Sequence, residues 1–355
     1  MIRRLIPLLP TVLSAAAVLA GDVIFDTPSD DAWQYPFTPD PGGRGFASCF
    51  GSTADPNFTT FNDRDGIFLI AWRTDEDFCG GLPPGAYDIQ SVRVTLTGAV
   101  CSLCPTPDWL VDLTTDPWFN LDYPVTDADP GQPLELFGVG FGPEYTYANW
   151  TERAQYVGGD QEFYDERDPF PFVFQDGTGN LVHVEDSVKD QFTPTPWATG
   201  VPVKYAPGRQ TSPFPVHFDV DLALSDGRVL RYFQEQLSAG RVVVVVTSLT
   251  VTFKQAATGF PSFFTKEGLS LNPQQAKAPR LTIVLAASGN PDGDSDRDKR
   301  DWRELAHCLA GPEAPPDEGG MLTAVECLCV FDFDEDGDVD LEDVSRFAAR
   351  FTGGE

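Results

Sequence analysis

Carboxylates recur at alternate positions in the twelve residues from 332 to 343, close to the C-terminus. The side chains that could bind a metal ion there are Asp332, Asp334, Asp336, Asp338, Asp340 and Asp343. A hard cation such as Ca²⁺ takes about six to eight oxygen ligands, and side chains at alternate loop positions can converge on it. Gly337, at the sixth position, would make the sharp turn, and the seventh position needs only its backbone carbonyl. The segment therefore predicts a calcium-binding loop.

A second copy of this pattern begins 42 residues upstream. Its oxygen-bearing residues are Asn290, Asp292, Asp294, Asp296, Asp298 and Asp301. Both copies follow the spacing of the EF-hand calcium loop, with a shorter Asp in place of the usual Glu at the last position. In the upstream copy Asn290 removes one charge, and Ser295 occupies the glycine position, where a left-handed backbone costs about 1 kcal/mol. We expect calcium at both loops, with the downstream loop the better site.

Apolar residues follow each loop at the spacing of a helix with one apolar face. They are Val344, Phe347, Ala348 and Phe351 after the downstream loop, and Trp302, Leu305, Ala306 and Leu309 after the upstream one. Residues 289–355 carry 19 acidic and 6 basic side chains, a composition that would also fit a solvated, disordered tail. The duplication and the apolar stripes favour two folded loop–helix units instead.

Paired loop–helix units at the end of an exported chain resemble type I dockerin modules, and here the resemblance covers residues 288–355. It implies Ca²⁺ as the cofactor and a cohesin-like protein as the partner. It also implies that loop positions 10 and 11, which are Lys299-Arg300 and Leu341-Glu342, contribute to partner recognition. The 42-residue offset makes the connection between the units longer than in the family pattern.

Residues 21–287 show the pattern of β-strands separated by polar loops. From Val216 to Leu224 apolar and polar residues alternate, as in a strand with one buried face. The run from Val242 to Val246 predicts a central strand covered on both faces, and residues 91–97 and 281–285 predict two more strands. No window of this region shows a sustained helical period. The predicted fold is mainly β, a β-sandwich or jelly roll, followed by a small α-helical calcium-binding module.

Short motifs in this β region resemble the DNRLRE family of exported β-sandwich modules. They are Asp63-Arg64-Asp65-Gly66 before an apolar strand through Trp72, Leu82-Pro83-Pro84-Gly85 before Ser91-Val92-Arg93-Val94, and Phe263-Phe264-Thr265-Lys266-Glu267-Gly268 ahead of Pro279-Arg280-Leu281-Thr282-Ile283. The resemblance implies a β-sandwich fold. Residues 105–215 have no counterpart in it.

Residues 1–20 predict a cleaved signal peptide, because Arg3 and Arg4 precede an apolar stretch that ends in small residues at Ala20. We therefore expect a secreted or cell-surface protein. The stretch is too short for a membrane span, and no later segment has 18 consecutive apolar residues. A net charge of −30 would repel the phosphates of nucleic acids and of anionic lipids, so neither is an expected partner.

Seven cysteines fit an oxidising compartment. They form an early group of Cys49, Cys79, Cys101 and Cys104 and a late group of Cys308, Cys327 and Cys329. We expect disulfides within each group, with one cysteine left over. The Cys101-Ser-Leu-Cys104 spacing is that of a redox motif, but prolines follow it where a helix would be needed, so a structural disulfide is favoured.

Residues 105–215 combine aromatic rings with acids, a composition that suits sugar binding. The rings are Trp109, Trp118, Tyr123, Tyr145, Tyr147, Trp150, Tyr156, Tyr164 and Trp197. They could instead cover the sandwich and anchor its long loops. The sequence does not single out a catalytic pair of carboxylates, and His183, His217 and His307 are isolated.

Two functions are compatible with these features. The first is an exported adaptor whose dockerin-like module (288–355) tethers a carbohydrate- or surface-binding β-sandwich (21–287) to a partner. The alternative is a polysaccharide-degrading enzyme, a glycoside hydrolase or lyase, with the same tail. The sequence pattern for a tethering module is strong and the pattern for a catalytic site is weak, which favours the adaptor.

Overall fold

The computed structural model describes the residues in the ranges 21–35, 40–51, 63–75, 79–99, 133–143, 145–154, 168–203, 213–249, 261–294, 296–316 and 320–353, and the backbone alone at 110–111 and 208–209. The predicted signal peptide and the Cys101-Ser-Leu-Cys104 motif lie outside these ranges.

Strands dominate the described part of the chain. They are β1 (Asp22–Phe25), β2 (Asp30–Gln34), β3 (Phe46–Ser48), β4 (Phe50–Gly51), β5 (Arg64–Arg73), β6 (Asp88–Gly98), β7 (Leu110–Val111), β8 (Leu134–Gly140), β9 (Phe170–Phe174), β10 (Leu181–His183), β11 (Ala198–Pro202), β12 (Gly208–Arg209), β13 (Phe214–Asp219), β14 (Arg241–Ser248), β15 (Ser262–Phe264) and β16 (Arg280–Ala286). The helices are α1 (Leu224–Ser238), α2 (Gly268–Leu271), α3 (Lys299–Cys308), α4 (Ala324–Phe331) and α5 (Leu341–Arg350).

Fourteen of these strands join in one curled antiparallel sheet, in which the main path runs β1-β16-β6-β13-β11-β8-β14-β5-β2. The sheet changes direction at β11. Residues 200–202 of that strand pair with β13, whereas Ala198 and Thr199 pair with β8. The mainly β fold predicted from the sequence is therefore confirmed.

One hydrophobic cluster joins the two halves of the sheet. It includes Phe68 and Val244 from one half and Val94 and Ile283 from the other, each at most 1% exposed. Phe68 of β5 stacks on Phe263 of β15 with ring centroids 6.5 Å apart, so side chains of the two halves meet directly. Burial of this apolar surface is the main source of the fold's stability.

A second cluster covers the opposite face of β5 and β14. Leu69, Val243 and Val245 are fully buried there, together with Trp150 and Val184. The prediction that the valine run forms a central strand covered on both faces is confirmed. The predicted strands at 91–97 and 281–285 lie within β6 and β16.

Helix α1 contradicts the prediction that residues 21–287 contain no helix. Ser225, Asp226 and Gly227 have φ values of 52°, 56° and 78°, so the regular helix begins at Arg228. Its buried face follows the usual helical spacing and consists of Val229, Tyr232, Phe233, Gln236 and Leu237. The left-handed turn and the polar Gln236 interrupt this pattern in the sequence. The strand predicted to reach Leu224 ends instead at Asp219.

Two disulfides join described cysteines. Cys308–Cys327 lies within the late group, as predicted. Cys79–Cys329 joins the early group to the late one, so the prediction of pairing only within each group is wrong. Cys79 and Cys329 are brought together because the 79–87 turn packs against the C-terminal helices, which are far from it in sequence. Cys49 is buried with a free thiol that donates to the carbonyl of Val246 at 3.3 Å.

The C-terminal helices pack onto the sheet instead of standing apart from it. Leu82 and Tyr87 belong to the same hydrophobic cluster as Leu328 and Phe331 of α4. Gly85 approaches the first acidic loop so closely that a Cβ atom there would lie 2.1 Å from the carbonyl oxygen of Gly293. The boundary between residues 287 and 288 remains a prediction. No helix in the described ranges is both long and apolar enough to cross a membrane.

A buried ion pair ties the first residue of β5 to β8. The Arg64 guanidinium donates to Glu135 at 2.8 and 3.1 Å, and also to the Val184 carbonyl and the Ser187 hydroxyl, both at 2.6 Å. The side chains of Arg64 and Glu135 are 1% and 8% exposed. Asp63 accepts from the Val188 amide at 2.7 Å, so the Asp63-Arg64 motif has a structural role.

We predict that Glu135→Gln destabilises the fold by about 3 kcal/mol or more, because it removes the carboxylate charge that lies 2.8 Å from the buried Arg64 guanidinium. Urea denaturation measures the change. The exposed pair Arg93–Asp219 is the matched control, and Asp219→Asn should cost less than about 1 kcal/mol. The double variant Arg64→Met with Glu135→Leu should recover much of the loss. Equal effects of the buried and the exposed substitutions would contradict the prediction.

Candidate metal centre

The downstream acidic loop is closed by its own carboxylates. Asp332 is fully buried and accepts from the amides of Asp336 at 3.2 Å and Gly337 at 3.0 Å. Gly337 has a φ of 92°, the left-handed conformation that favours glycine and that the predicted sharp turn requires. Asp343, also fully buried, accepts from the amides of Phe333 at 2.7 Å and Asp340 at 2.8 Å. The first and last positions of the loop are therefore held inside it.

Carboxylates converge in two overlapping groups within this loop. Asp332, Asp334 and Asp343 form one group, and Asp338, Asp340 and Asp343 form the other. In each group the oxygens that could bind a metal lie within 4.8 Å of one another. Asp336 is in neither group, and its carboxylate accepts from the Asp338 amide at 3.2 Å.

Burial destabilises the charged forms of these carboxyl groups. Desolvation, together with a smaller effect of the neighbouring charge of Asp343, raises the pKa of Asp332 from an ordinary value of 3.8 to about 6, although hydrogen bonds from backbone amides of the loop lower it. The pKa values of Asp334 and Asp343 are also raised, first by desolvation and then by other carboxylates. A cation among these oxygens would favour the charged forms and offset both costs. The acidic groups of this loop could therefore hold a metal ion.

The upstream loop gathers fewer carboxylates. Only Asp296, Asp298 and Asp301 form a group with oxygens within 4.8 Å of one another. Burial, together with smaller effects of the nearby charges of Asp292, Asp298 and Asp294, raises the pKa of Asp301 to about 6. The predicted strain at Ser295 concerns a residue outside the described ranges.

The other three predicted ligands of this loop form local contacts. Asn290 donates from its amide to the carbonyl of Asp294 at 2.7 Å and accepts from the Gly293 amide at 3.1 Å. Asp292 lies 3.9 Å from the Arg300 guanidinium, and Asp294 accepts from the Asp296 amide at 2.9 Å. The upstream loop thus brings together half of its predicted set, consistent with its weaker sequence pattern.

The predicted helices after the loops are present, and each begins with a capping box made by loop positions 9 and 12. Asp298 with Asp301 caps α3, and Asp340 with Asp343 caps α5. Such caps stabilise a helix without any metal, since each satisfies two backbone amides. Asp301 retains one buried oxygen with no hydrogen-bond partner among the described residues, whereas both oxygens of Asp343 accept backbone hydrogen bonds. Helix α4, between the units, was not predicted.

The backbones of the two loops make equivalent hydrogen bonds at loop position 8. At loop position 8 of the upstream loop, the carbonyl of Arg297 accepts from the amide of Thr352 at 3.0 Å. At the same position downstream, the carbonyl of Val339 accepts from the amide of Ala310 at 3.3 Å. Each loop therefore pairs with the segment that follows the other unit's helix. Phe347 of α5 lies fully buried between Phe331 and Trp302, with ring centroids 6.1 and 5.9 Å away.

A further acidic group lies in the β fold. Asp31, Glu152 and Glu267 have carboxylate oxygens within 4.8 Å of one another. Here the chain supplies its own cation, because the Lys266 ammonium contacts Glu152, lies 2.9 Å from Glu267 and lies 3.9 Å from Asp31. Burial of Asp31 raises its pKa to about 8. Lys266 therefore pairs with Glu152 and Glu267 inside this group, whereas no lysine takes that place in the loop sites among the described residues.

The aromatic residues predicted to bind sugar divide into two sets. Trp150 and Trp197 are each 1% exposed and belong to the core, as the packing alternative predicted. Tyr145 and Tyr147 are half-buried and line a cleft of about 540 Å³. Trp109, Trp118, Tyr123, Tyr156 and Tyr164 lie outside the described residues.

Sequence reasoning missed most of the lining of this cleft. It includes Phe141, Phe174, Arg228, Arg231 and Glu235. The last three lie on α1, and the i, i+3, i+4 spacing of its apolar residues was the signal that could have located them. His183 and His307 are exposed, and His183 stacks on Phe170 with ring centroids 3.5 Å apart.

Comparison with known protein families found none that matches the chain, and comparison with curated proteins found no match either. The functional assignment therefore depends on the geometry of the acidic loops and of the cleft.

We predict that Asp31→Asn reduces the loss of stability at high pH. The folded-state pKa of about 8 lies above the ordinary value of 3.8, so folding favours the protonated form. This stabilising contribution is complete below about pH 4 and is lost as the pH rises through about 8. Asn is uncharged at every pH and keeps an acceptor for the Lys266 amide, which lies 2.7 Å from Asp31.

Urea unfolding at pH 5, 7 and 9 measures this effect. Relative to Asp31→Asn, the wild-type protein should become progressively less stable as the pH rises. Asp219→Asn, at an exposed position, should instead follow the wild-type curve. If the wild-type protein were instead more stable than Asp31→Asn at pH 9, Asp31 would be a charged partner of Lys266 and the prediction would be wrong.

Proposed function

We propose that this chain is an exported calcium-binding adaptor. In this proposal, residues 288–355 bind Ca²⁺ and a cohesin-like protein partner, and residues 21–287 form a carrier that binds carbohydrate or a surface. The observation that carries the proposal is the pair of acidic loops, each with converging carboxylates and each paired at position 8 with the other unit. The disulfides and the absence of a membrane-crossing helix in the described ranges are compatible with a protein outside the cell.

Calcium is the cation that best suits these loops. The groups offer carboxylate oxygens and no imidazole or thiolate, which disfavours zinc and copper. Ca²⁺ accepts about six to eight oxygens in flexible geometry, whereas Mg²⁺ requires a nearly ideal octahedron and keeps several of its waters. A loop of twelve residues with eight acidic side chains offers many oxygens and so meets the first requirement better than the second.

Partner recognition is proposed at the start of α3 and of α5. Leu341 is 78% exposed, an unusual environment for a leucine, and the Arg300 side chain is 73% exposed. Both lie within the acidic loops, Arg300 at position 11 of the upstream loop and Leu341 at position 10 of the downstream one, so calcium would order the backbone that presents them. The resemblance to type I dockerins supports a cohesin-like protein as the occupant of this surface.

A second candidate function is polysaccharide degradation. Asp176, Asp221 and Asp226 line a cavity of about 790 Å³ beside the left-handed turn at 225–227. Glycoside hydrolysis uses a pair of carboxylates, and strained backbone is often found at active sites. A reducing-sugar assay on neutral polysaccharides tests this alternative. Turnover that Asp226→Asn abolishes would replace the adaptor with an enzyme.

For the adaptor, we predict that Asp332→Ala lowers the calcium stoichiometry from two ions to one and weakens calcium-dependent stabilisation more than Asn290→Ala does. Asp332 is buried and charged, whereas Asn290 is neutral and held by local hydrogen bonds. With a dissociation constant on the order of 10⁻⁴ M, 1 mM calcium would stabilise the fold by about 1.4 kcal/mol per site.

Isothermal titration calorimetry and thermal unfolding of the mature chain, after chelation, measure both effects. Glu335→Gln is the matched control, because Glu335 is an exposed acid of the same loop at a position that does not supply a ligand. It should leave the stoichiometry unchanged. No heat of calcium binding and no change in the unfolding temperature would exclude the calcium-dependent adaptor.

A further inference from the structure

The cleft on the β fold is open, and aromatic rings form much of its lining. Phe141 and Tyr147 pack edge to face with centroids 4.6 Å apart, and Phe174 lies at the end of β9, the strand that pairs with β8. All three rings are half-buried, so each keeps a surface accessible to a ligand. Leu181, 49% exposed, extends the apolar lining at the edge. Half-exposed rings around a concavity can stack on the apolar faces of pyranose rings.

These rings are held rigidly in place. The Tyr147 hydroxyl donates to the Val139 carbonyl at 2.8 Å and lies 3.3 Å from the Tyr232 hydroxyl. Tyr232 in turn donates to the carbonyl of Val243 at 2.7 Å. Phe174 stacks on the buried Trp197 with ring planes 6° apart. A site preformed in this way loses little conformational entropy when a ligand binds.

Helix α1 supplies polar groups to the same cleft. Arg231 and Glu235 form an ion pair at 2.9 Å, with side chains 61% and 58% exposed, so both can also bind hydroxyl groups. Arg228 has a buried guanidinium nitrogen, Nη1, with no hydrogen-bond partner among the described residues. An unpaired donor at a desolvated position favours a ligand that brings an oxygen acceptor. Sugar hydroxyl and ring oxygens are such acceptors.

The charge of the molecule selects among sugars. A net charge of −30 repels polyanions at long range, which disfavours uronate and sulfated polymers. Inside the cleft Arg231 is already paired with Glu235, so the lining offers both donors and acceptors. Hydroxyl groups can donate and accept, and therefore suit this mixture better than carboxylates do.

We infer that the cleft between β8, β9, β10 and α1 is a binding site for neutral polysaccharide, with the rings stacking on pyranose units and Arg228, Arg231 and Glu235 binding their hydroxyl groups. The inference rests on the proposed adaptor function and assigns the ligand class of its β fold. It requires no calcium in the cleft, so the carbohydrate site and the metal loops can be tested separately.

The test is affinity electrophoresis and calorimetry of the mature chain in 1 mM calcium, with soluble cellulose, xylan, mannan and starch derivatives as neutral probes and polygalacturonate and dextran sulfate as anionic ones. At least one neutral glycan should bind, and Arg228→Ala should weaken that binding about tenfold through loss of a charged hydrogen bond. Glu235→Gln preserves size and shape and should also weaken binding. Leu271→Ala, at a residue that is 67% exposed and does not line the cleft, is the control and should bind like wild type.

Thermal unfolding of each variant shows whether it is folded, and Glu235→Gln carries the test if Arg228→Ala is not. Failure of every neutral glycan to bind would overturn the inference, as would binding to the anionic polymers alone. Self-association that Arg231→Ala abolishes would assign the cleft to a second copy of the chain and overturn it too. Calcium titration of the same samples reports on the loops independently, so loss of the sugar site is distinguishable from loss of the adaptor's metal function.

Discussion

The desolvated guanidinium of Arg64 is the contact on which the central part of the sheet depends. It crosses β14 to reach Glu135 on β8 and also holds the Val184 carbonyl and the Ser187 hydroxyl. These contacts place the segment around Val184 over the second hydrophobic cluster, which allows β5 and β14 to be buried on both faces. A buried charge is tolerated only when its partners are in place, so this pair favours one arrangement of the strands over less complete alternatives.

The C-terminal loops show how one set of carboxylates can serve folding and ion binding together. The aspartates at positions 9 and 12 cap α3 and α5, and they also belong to the acidic groups. Without a cation, several negative charges lie close together at the start of each helix. They interact favourably with the positive end of the helix dipole, but their mutual repulsion opposes closure of the loop. A bound ion would remove that conflict. Helix formation and ion binding are therefore expected to be coupled in this part of the chain.

Much of the strand content could be predicted because alternation and β-branched runs reflect burial directly, as at Val242–Val246. The acidic loops were also visible, since their ligand spacing is local in sequence. Helix α1 was not predicted, because its apolar face begins after three left-handed residues and includes Gln236. The Cys79–Cys329 bond and the cleft could not be predicted either. Both depend on which distant segments pack together, and spacing in a single sequence carries no such information.

The Cys79–Cys329 bond has a mechanical consequence for any tethered state. It joins residues 250 positions apart, so strands β6 to β16 and helix α3 lie within one covalent ring that closes on α4. A force applied to α4 would be transmitted through the disulfide to the 79–87 turn, beside β6. It would not have to be transmitted through β16, which ends at Ala286. The load would be shared between two points of attachment. A protease cut inside the ring would likewise leave both pieces joined, so a surface-held chain could survive nicking without release.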